Sequence, residues 1–251
     1  MNKFVKLTVA GLLAASTSTA VHGQVVTVEA LEAQIAIACE ADAASCAAEI
    51  ERATAAIKAA GFDENTIISA IIELTAIAVK NIEASGASSA VIAEAIVAVA
   101  SNAVESLANS GAEAAKIVTA VAAVTTNAVG SLSTSDASAA AVSASLSTMV
   151  EIAASAIESK SGLFNGAAAR QAANIAVANV VGATIVAIKN AKLDISASPS
   201  IAASVRTIAS ASTDSAQTAR ITGLVTKLSS GVSVEEVAAE ALQISEDASP
   251  S

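Results

Sequence analysis

The chain has 251 residues, a formal net charge of −10 and 54% hydrophobic residues, yet only 1% aromatics and neither Trp nor Tyr. About a quarter of the positions are Ala, the strongest helix former, so the expected core is helical and built from small side chains. An acidic chain without a basic patch or aromatic platform argues against nucleic-acid binding, and one His with two Cys leaves little for metal or nucleophilic chemistry.

Residues 1–23 read as a secretory signal peptide. Lys3 and Lys6 precede an apolar run through Leu13 and Ala15, and small residues follow. Cleavage after Ala20 or Gly23 satisfies the small-residue rule, and it places the mature chain in the periplasm or outside the cell. The apolar run is shorter than the ~20 residues a bilayer span requires. Removal of both lysines and no acid takes the formal charge from −10 to −12, and His22 leaves as well if the cut follows Gly23.

Residues 24–60 are expected to form N-terminal helices that carry the pair Cys39 and Cys46 in ACEADAASC. On one unbroken helix, positions seven apart lie about 10.5 Å apart, beyond the roughly 4.4 to 6.8 Å a disulfide allows between Cα atoms. A bridge therefore demands a turn between the cysteines, with Asp42 capping the helix that follows. In an exported protein a structural disulfide is the expectation; the spacing is not that of a CxxC redox pair.

Residues 61–165 repeat with a period of 25, in blocks starting at Thr66, Val91, Lys116 and Ala141. One column holds Ile67, Ile92, Ile117 and Val142; the next holds Ile71, Ile96, Val121 and Leu146. Leu74, Val99, Val124 and Met149 form a third, Ala78, Ala103, Ala128 and Ala153 a fourth, and Ile82, Leu107, Leu132 and Ile157 a fifth. Within a block the columns are spaced 4, 3, 4 and 4, which puts them on one stripe of an α-helix.

Ser85-Gly86-Ala87-Ser88, Ser110-Gly111 and Ser133-Thr134-Ser135-Asp136 then supply stop and start signals, with Gly as C-cap and Ser or Asp as N-cap. A continuous rod is the competing reading, because 25 residues make close to seven turns; the regular breakers argue for separate helices. Upstream, ATAAIKAAG ends at Gly61, one period before Gly86, and Asp63 or Asn65 would cap the next helix. Charged positions do not align between blocks, so packing repeats and no binding code does.

Residues 166–251 follow the same style in weaker register and end in a polar tail. Helices are expected near Ala168 to Ala191, Ser200 to Ala211, Asp214 to Leu228 and Ser233 to Ile244, the last opening with Ser233 and Glu236 at capping-box spacing. Gln171 to Ile188 carries no charge over 18 residues, and the segment is expected as a buried central helix, with a membrane span as the alternative.

The acid pairs Asp63-Glu64 and Glu235-Glu236 fall where helices begin, where acids complement the helix dipole, so they are read as structural and not as a catalytic dyad. Serines lack a histidine base and a GxSxG elbow, and no phosphate-cradling loop is present. No catalytic, cofactor or metal residues are therefore assigned; Cys39 and Cys46 are assigned to a disulfide.

The expected fold is an all-α, Ala-rich antiparallel helical array or bundle on a ~25-residue repeat. The expected function is a non-catalytic structural or protein-interaction role with self-association. The alternative is a carrier or membrane-surface binder of an apolar ligand, suggested by the wide apolar faces. A second copy of the chain, an apolar ligand or a membrane surface are the partners this composition admits.

Overall fold

The computed structural model describes residues 26–194 and 199–248, so residues 1–23, expected as a signal peptide, and the last residues of the tail lie outside the described residues. Among the described residues the chain forms ten α-helices and no strand. They are α1 (Val28–Ala41), α2 (Ala43–Ala59), α3 (Glu64–Ala84), α4 (Ser89–Ala108), α5 (Ala114–Thr134), α6 (Ala139–Glu158), α7 (Ala167–Asn190), α8 (Pro199–Ser210), α9 (Ser215–Ser229) and α10 (Val234–Ala248). A single 3₁₀ turn, Ser161–Leu163, links α6 to α7.

The principal contacts resolve into two layers. In the first, α1 packs on α3, α3 on α5, α5 on α7 and α7 on α10; in the second, α2 packs on α4, α4 on α6, α6 on α8 and α8 on α9. Each helix also meets its sequence neighbours across the layers, except that α8 and α9 lie side by side within one. The last two helices thus enter the layers in reversed order. The most extensive contact is α5 on α7.

Burial follows the sequence columns. Ala78, Ala103, Ala128 and Ala153 are at most 1% exposed, and the columns beginning at Ile71, Leu74 and Ile82 are buried in all four helices α3 to α6. The column that begins at Ile67 behaves differently: Ile117 and Val142 are buried, whereas Ile67 and Ile92 are half-buried. Their helices α3 and α4 (21 and 20 residues) pack on the shorter α1 and α2 (14 and 17), which leave part of each uncovered. Each helix also buries more than the one stripe expected. Val79, Val104, Val129 and Ala154 form a further buried column, and Thr75, Ala100, Thr125 and Val150 another.

The helices stop where glycine permits a left-handed residue. Gly86 and Gly111 have φ of +70° and +81°, a conformation that strains any residue with a Cβ. Serine completes the ends of α3 and α5: the Ser85 and Ser135 hydroxyls donate to the carbonyls of Ile82 and Leu132 at 2.7 and 2.8 Å, satisfying acceptors the helix itself leaves open. After α5 no glycine is used, and Ser135 leaves in an extended conformation. The cap of α6 is Ser138, which accepts from the Ala141 N–H, and not Asp136, which falls two residues too early to reach the first turn. Asp63 is the cap of α3, and Pro199 is the first residue of α8, where its missing N–H costs nothing. The chain breaks between α3, α4, α5 and α6 rule out the continuous rod.

Cys39 and Cys46 meet across the α1–α2 turn, with sulfurs 1.98 Å and Cα atoms 4.3 Å apart. The turn exists because Asp42 has extended φ and ψ: its N–H closes α1 on the Ala38 carbonyl while its side chain accepts from Ser45 N–H at 2.8 Å. Replacing both cysteines by Ser is expected to cost about 2–3 kcal/mol, from the entropy of an eight-residue loop, with the denaturant midpoint as the readout.

The alanine column sets how closely the helices approach, so overpacking and underpacking should both be felt. Ala103→Leu is expected to cost about 1–3 kcal/mol and Leu107→Ala about 2–5 kcal/mol in chemical denaturation. Val91→Ala, at a side chain 43% exposed, should change stability by no more than about 0.5 kcal/mol.

Candidate binding groove

An open groove lies on the outer side of the first layer. Its floor is one stripe of α5, where Thr119, Ala123, Thr126, Asn127, Gly130 and Thr134 succeed one another at helical spacing. All are small. One wall is α7, through Asn179, Gly182, Ala183, Val186 and Asn190; Leu242 and Ser245 of α10 and Glu83 of α3 complete the rim. The open space amounts to about 1000 Å³. A shallower depression of about 370 Å³, lined by Ile68, Ile72, Lys116 and Ala172, shares Thr119 and Ala123 with it, so the groove runs along most of α5.

The sequence makes this hollow by subtraction. The inner face of α5 carries Ile117, Val121, Val124 and Leu132, all buried, while beyond Lys116 its outer face carries nothing larger than Thr or Asn. An added Cβ at Gly130 would meet no atom within 4 Å. On the far side α10 approaches α7 over Gly182, where a Cβ would come within 3.9 Å of the Ala241 carbonyl, and the Ser245 hydroxyl donates to Asn179 Oδ1 at 2.6 Å.

The groove is nearly uncharged. Glu83 is the one ionisable side chain lining the larger part. Lys116, in the smaller part, sits 3.8 Å from both Glu64 and Glu113. On the floor, the Thr126 hydroxyl oxygen is shielded from solvent and makes no hydrogen bond; buried Thr75 and Thr184, by contrast, donate to the carbonyls of Ile71 and Val180. Leu242, 51% exposed, stands at the edge.

The residues weighed for chemistry from the sequence lie elsewhere and are engaged locally. Asp63 accepts from the N–H groups of Asn65 and Thr66 at 2.9 and 3.1 Å and from the Thr66 hydroxyl at 2.6 Å. Glu64 stands in the first turn of α3, and Glu235 and Glu236 in that of α10, where Glu236 N–H reaches Ser233 Oγ at 3.4 Å. Cys39 and Cys46 belong to the α1–α2 turn and do not line the groove. Among the described residues no three His, Cys, Asp or Glu side chains are grouped to hold a metal ion.

Several polar groupings have no counterpart in the periodic pattern. Ser204, fully buried on α8, lies 2.8 Å from Ser147 Oγ on α6 and donates to Glu151 Oε1 at 2.9 Å, so the trio ties α6 to α8. With a carboxylate as its only acidic or basic member it has no imidazole-strength base for the serines. Its signal was Ser147, polar in a column that otherwise holds Ile72, Val97 and Ala122. Glu49, only 5% exposed on α2, pairs with Arg52. At the end of the array, Lys227 pairs with Glu240, and Arg220 with Asp247 at 2.9 Å, clamping α9 to α10.

Four helices, α4, α5, α6 continued through Leu163, and α7, are long and apolar enough to cross a membrane by length and composition. In the fold they are partly buried against one another, and α7 packs against α5, α6, α8 and α10. The sequence matches no family model and no curated protein.

Hydrogen bonds from the Thr66 hydroxyl and backbone hold the Asp63 carboxyl below its ordinary 3.8. Because the folded value is the lower one, its contribution is complete above the unfolded carboxylate range and is lost as pH falls through the folded value. Asp63→Ala is therefore expected to lower the denaturant midpoint at pH 7, with the gap to the parent protein closing as the pH is taken below that range. A gap that persists unchanged at pH 2 would contradict this.

Proposed function

We propose that this chain is an exported, non-catalytic helical-repeat protein with a structural or protein-interaction role, built as antiparallel helices on a ~25-residue repeat and able to self-associate. The observation that carries the proposal is the burial of equivalent positions in four successive helices, Ala78, Ala103, Ala128 and Ala153 above all, while the charged positions follow no common pattern. Selection for a stackable unit explains that contrast. The signal-like residues 1–23 support export, and the cysteine pair at disulfide distance suits an oxidising compartment. The carboxylates and hydroxyls weighed above cap helices or tie them together, which supports a scaffold over a catalyst.

The groove over α5 favours a second reading, a carrier of an apolar ligand. Its volume of about 1000 Å³ is at the upper end of what small-molecule sites use, and its lining is mostly apolar with a few amides and hydroxyls.

Native mass spectrometry of protein exported from a bacterial host and purified without detergent tests both. A whole multiple of the mature mass with nothing bound is the outcome expected of the structural reading. A monomer carrying a discrete lipid-sized mass would replace it with the carrier, and specific turnover of a substrate would overturn both. The same spectrum assigns cleavage after Ala20 or Gly23.

A further inference from the structure

We infer that the groove over α5 binds an uncharged, largely apolar small molecule bearing at least one hydrogen-bond acceptor, and that it selects against anions such as fatty acids. The inference rests on the carrier reading and names its ligand class. Size sets the first limit: about 1000 Å³ of open space lies in the volume range of sites for drug-sized molecules.

Charge sets the second. The larger part of the groove is lined by Glu83 and no cation, in a chain of net charge −10, so an anionic head would lose its hydration without gaining a partner and would meet a carboxylate. Lys116 at the far end is flanked by Glu64 and Glu113 and gives an anion no unopposed charge.

Hydrogen bonding sets the third. The groups that can donate to a ligand are the exposed side-chain amides of Asn127 and Asn190, whereas the Thr126 hydroxyl oxygen is closed off from the groove as it is from solvent. With Asn127 on the floor and Asn190 on the wall, a neutral ligand with a carbonyl, ether or hydroxyl oxygen is served on both its apolar and polar parts. Ala123 and Gly130 leave the floor flush enough for a flat face to lie against α5.

The test compares two dyes that share a ring system. N-phenyl-1-naphthylamine is neutral, and 8-anilino-1-naphthalenesulfonate carries a sulfonate. The full mature protein is expected to bind the neutral dye saturably at one site and the anion at least about tenfold more weakly. Gly130→Leu places a side chain in space that is empty in the parent and replaces a mid-helix glycine by a better helix former, so it folds. It should weaken neutral-dye binding by at least about tenfold with an unchanged circular dichroism spectrum. Glu83→Lys should bring the anion close to the affinity of the neutral dye. Equal binding of both dyes by the parent protein, relieved by Gly130→Leu, would overturn the ligand class and leave the carrier reading standing. Neutral-dye binding that Gly130→Leu leaves untouched would overturn the site, and failure of both dyes to bind would overturn site and carrier reading together.

Discussion

The close approach of helices over alanine is the constraint on which the rest of the structure depends. Ala78, Ala103, Ala128 and Ala153 sit in the C-terminal halves of their helices with essentially no exposed surface. A residue with no side-chain entropy to lose and no bulk beyond one methyl allows neighbouring backbones to come close. The larger side chains of the adjoining columns, Ile71, Leu107, Leu132 and Met149 among them, then interlock on either side. A chain with almost no aromatics thus reaches a continuous core by using many small contacts in place of a few large ones.

The same economy shapes the surface. A helix that is small on its inner face packs tightly; one that is small on its outer face, as α5 is, leaves a hollow between its neighbours. The groove and the core therefore derive from one compositional bias. What distinguishes them is the presence of Ile117, Val121, Val124 and Leu132 on one side of α5 and of Thr119, Ala123, Asn127 and Gly130 on the other.

The existence and type of the helices were legible because their apolar spacing is regular and Gly, Ser and Asp punctuate it. The cysteine turn was legible because the geometry of an unbroken helix forbids it. The layering was not, since one stripe per helix says that a face is buried and not against which partner. The columns at Thr75 and Val79, which carry the second contact face, mix Thr, Ala and Val and blur into the general apolarity. The buried Glu49 has the same appearance in sequence as any surface acid. The groove was hidden for a further reason: an absence of side chains has no signature until the neighbours that frame it, Glu83, Asn179 and Leu242, are placed around it.

The reversed entry of α9 and α10 gives the molecule two unlike ends. At one end the stack closes with helices whose exposed side chains include Glu235, Glu236, Arg220, Glu246 and Asp247, a hydrated, mutually tethered terminus. At the other, α1 leaves Ile37 69% exposed. Charge is present at that end too, since Glu29 and Glu40 of α1 are exposed; what differs is the fastening, ion pairs between α9 and α10 at one end and the Cys39–Cys46 bridge between α1 and α2 at the other. Salt therefore loosens the array from its α9–α10 end, while a reductant loosens it from its α1–α2 end, so the two ends answer to different chemistry.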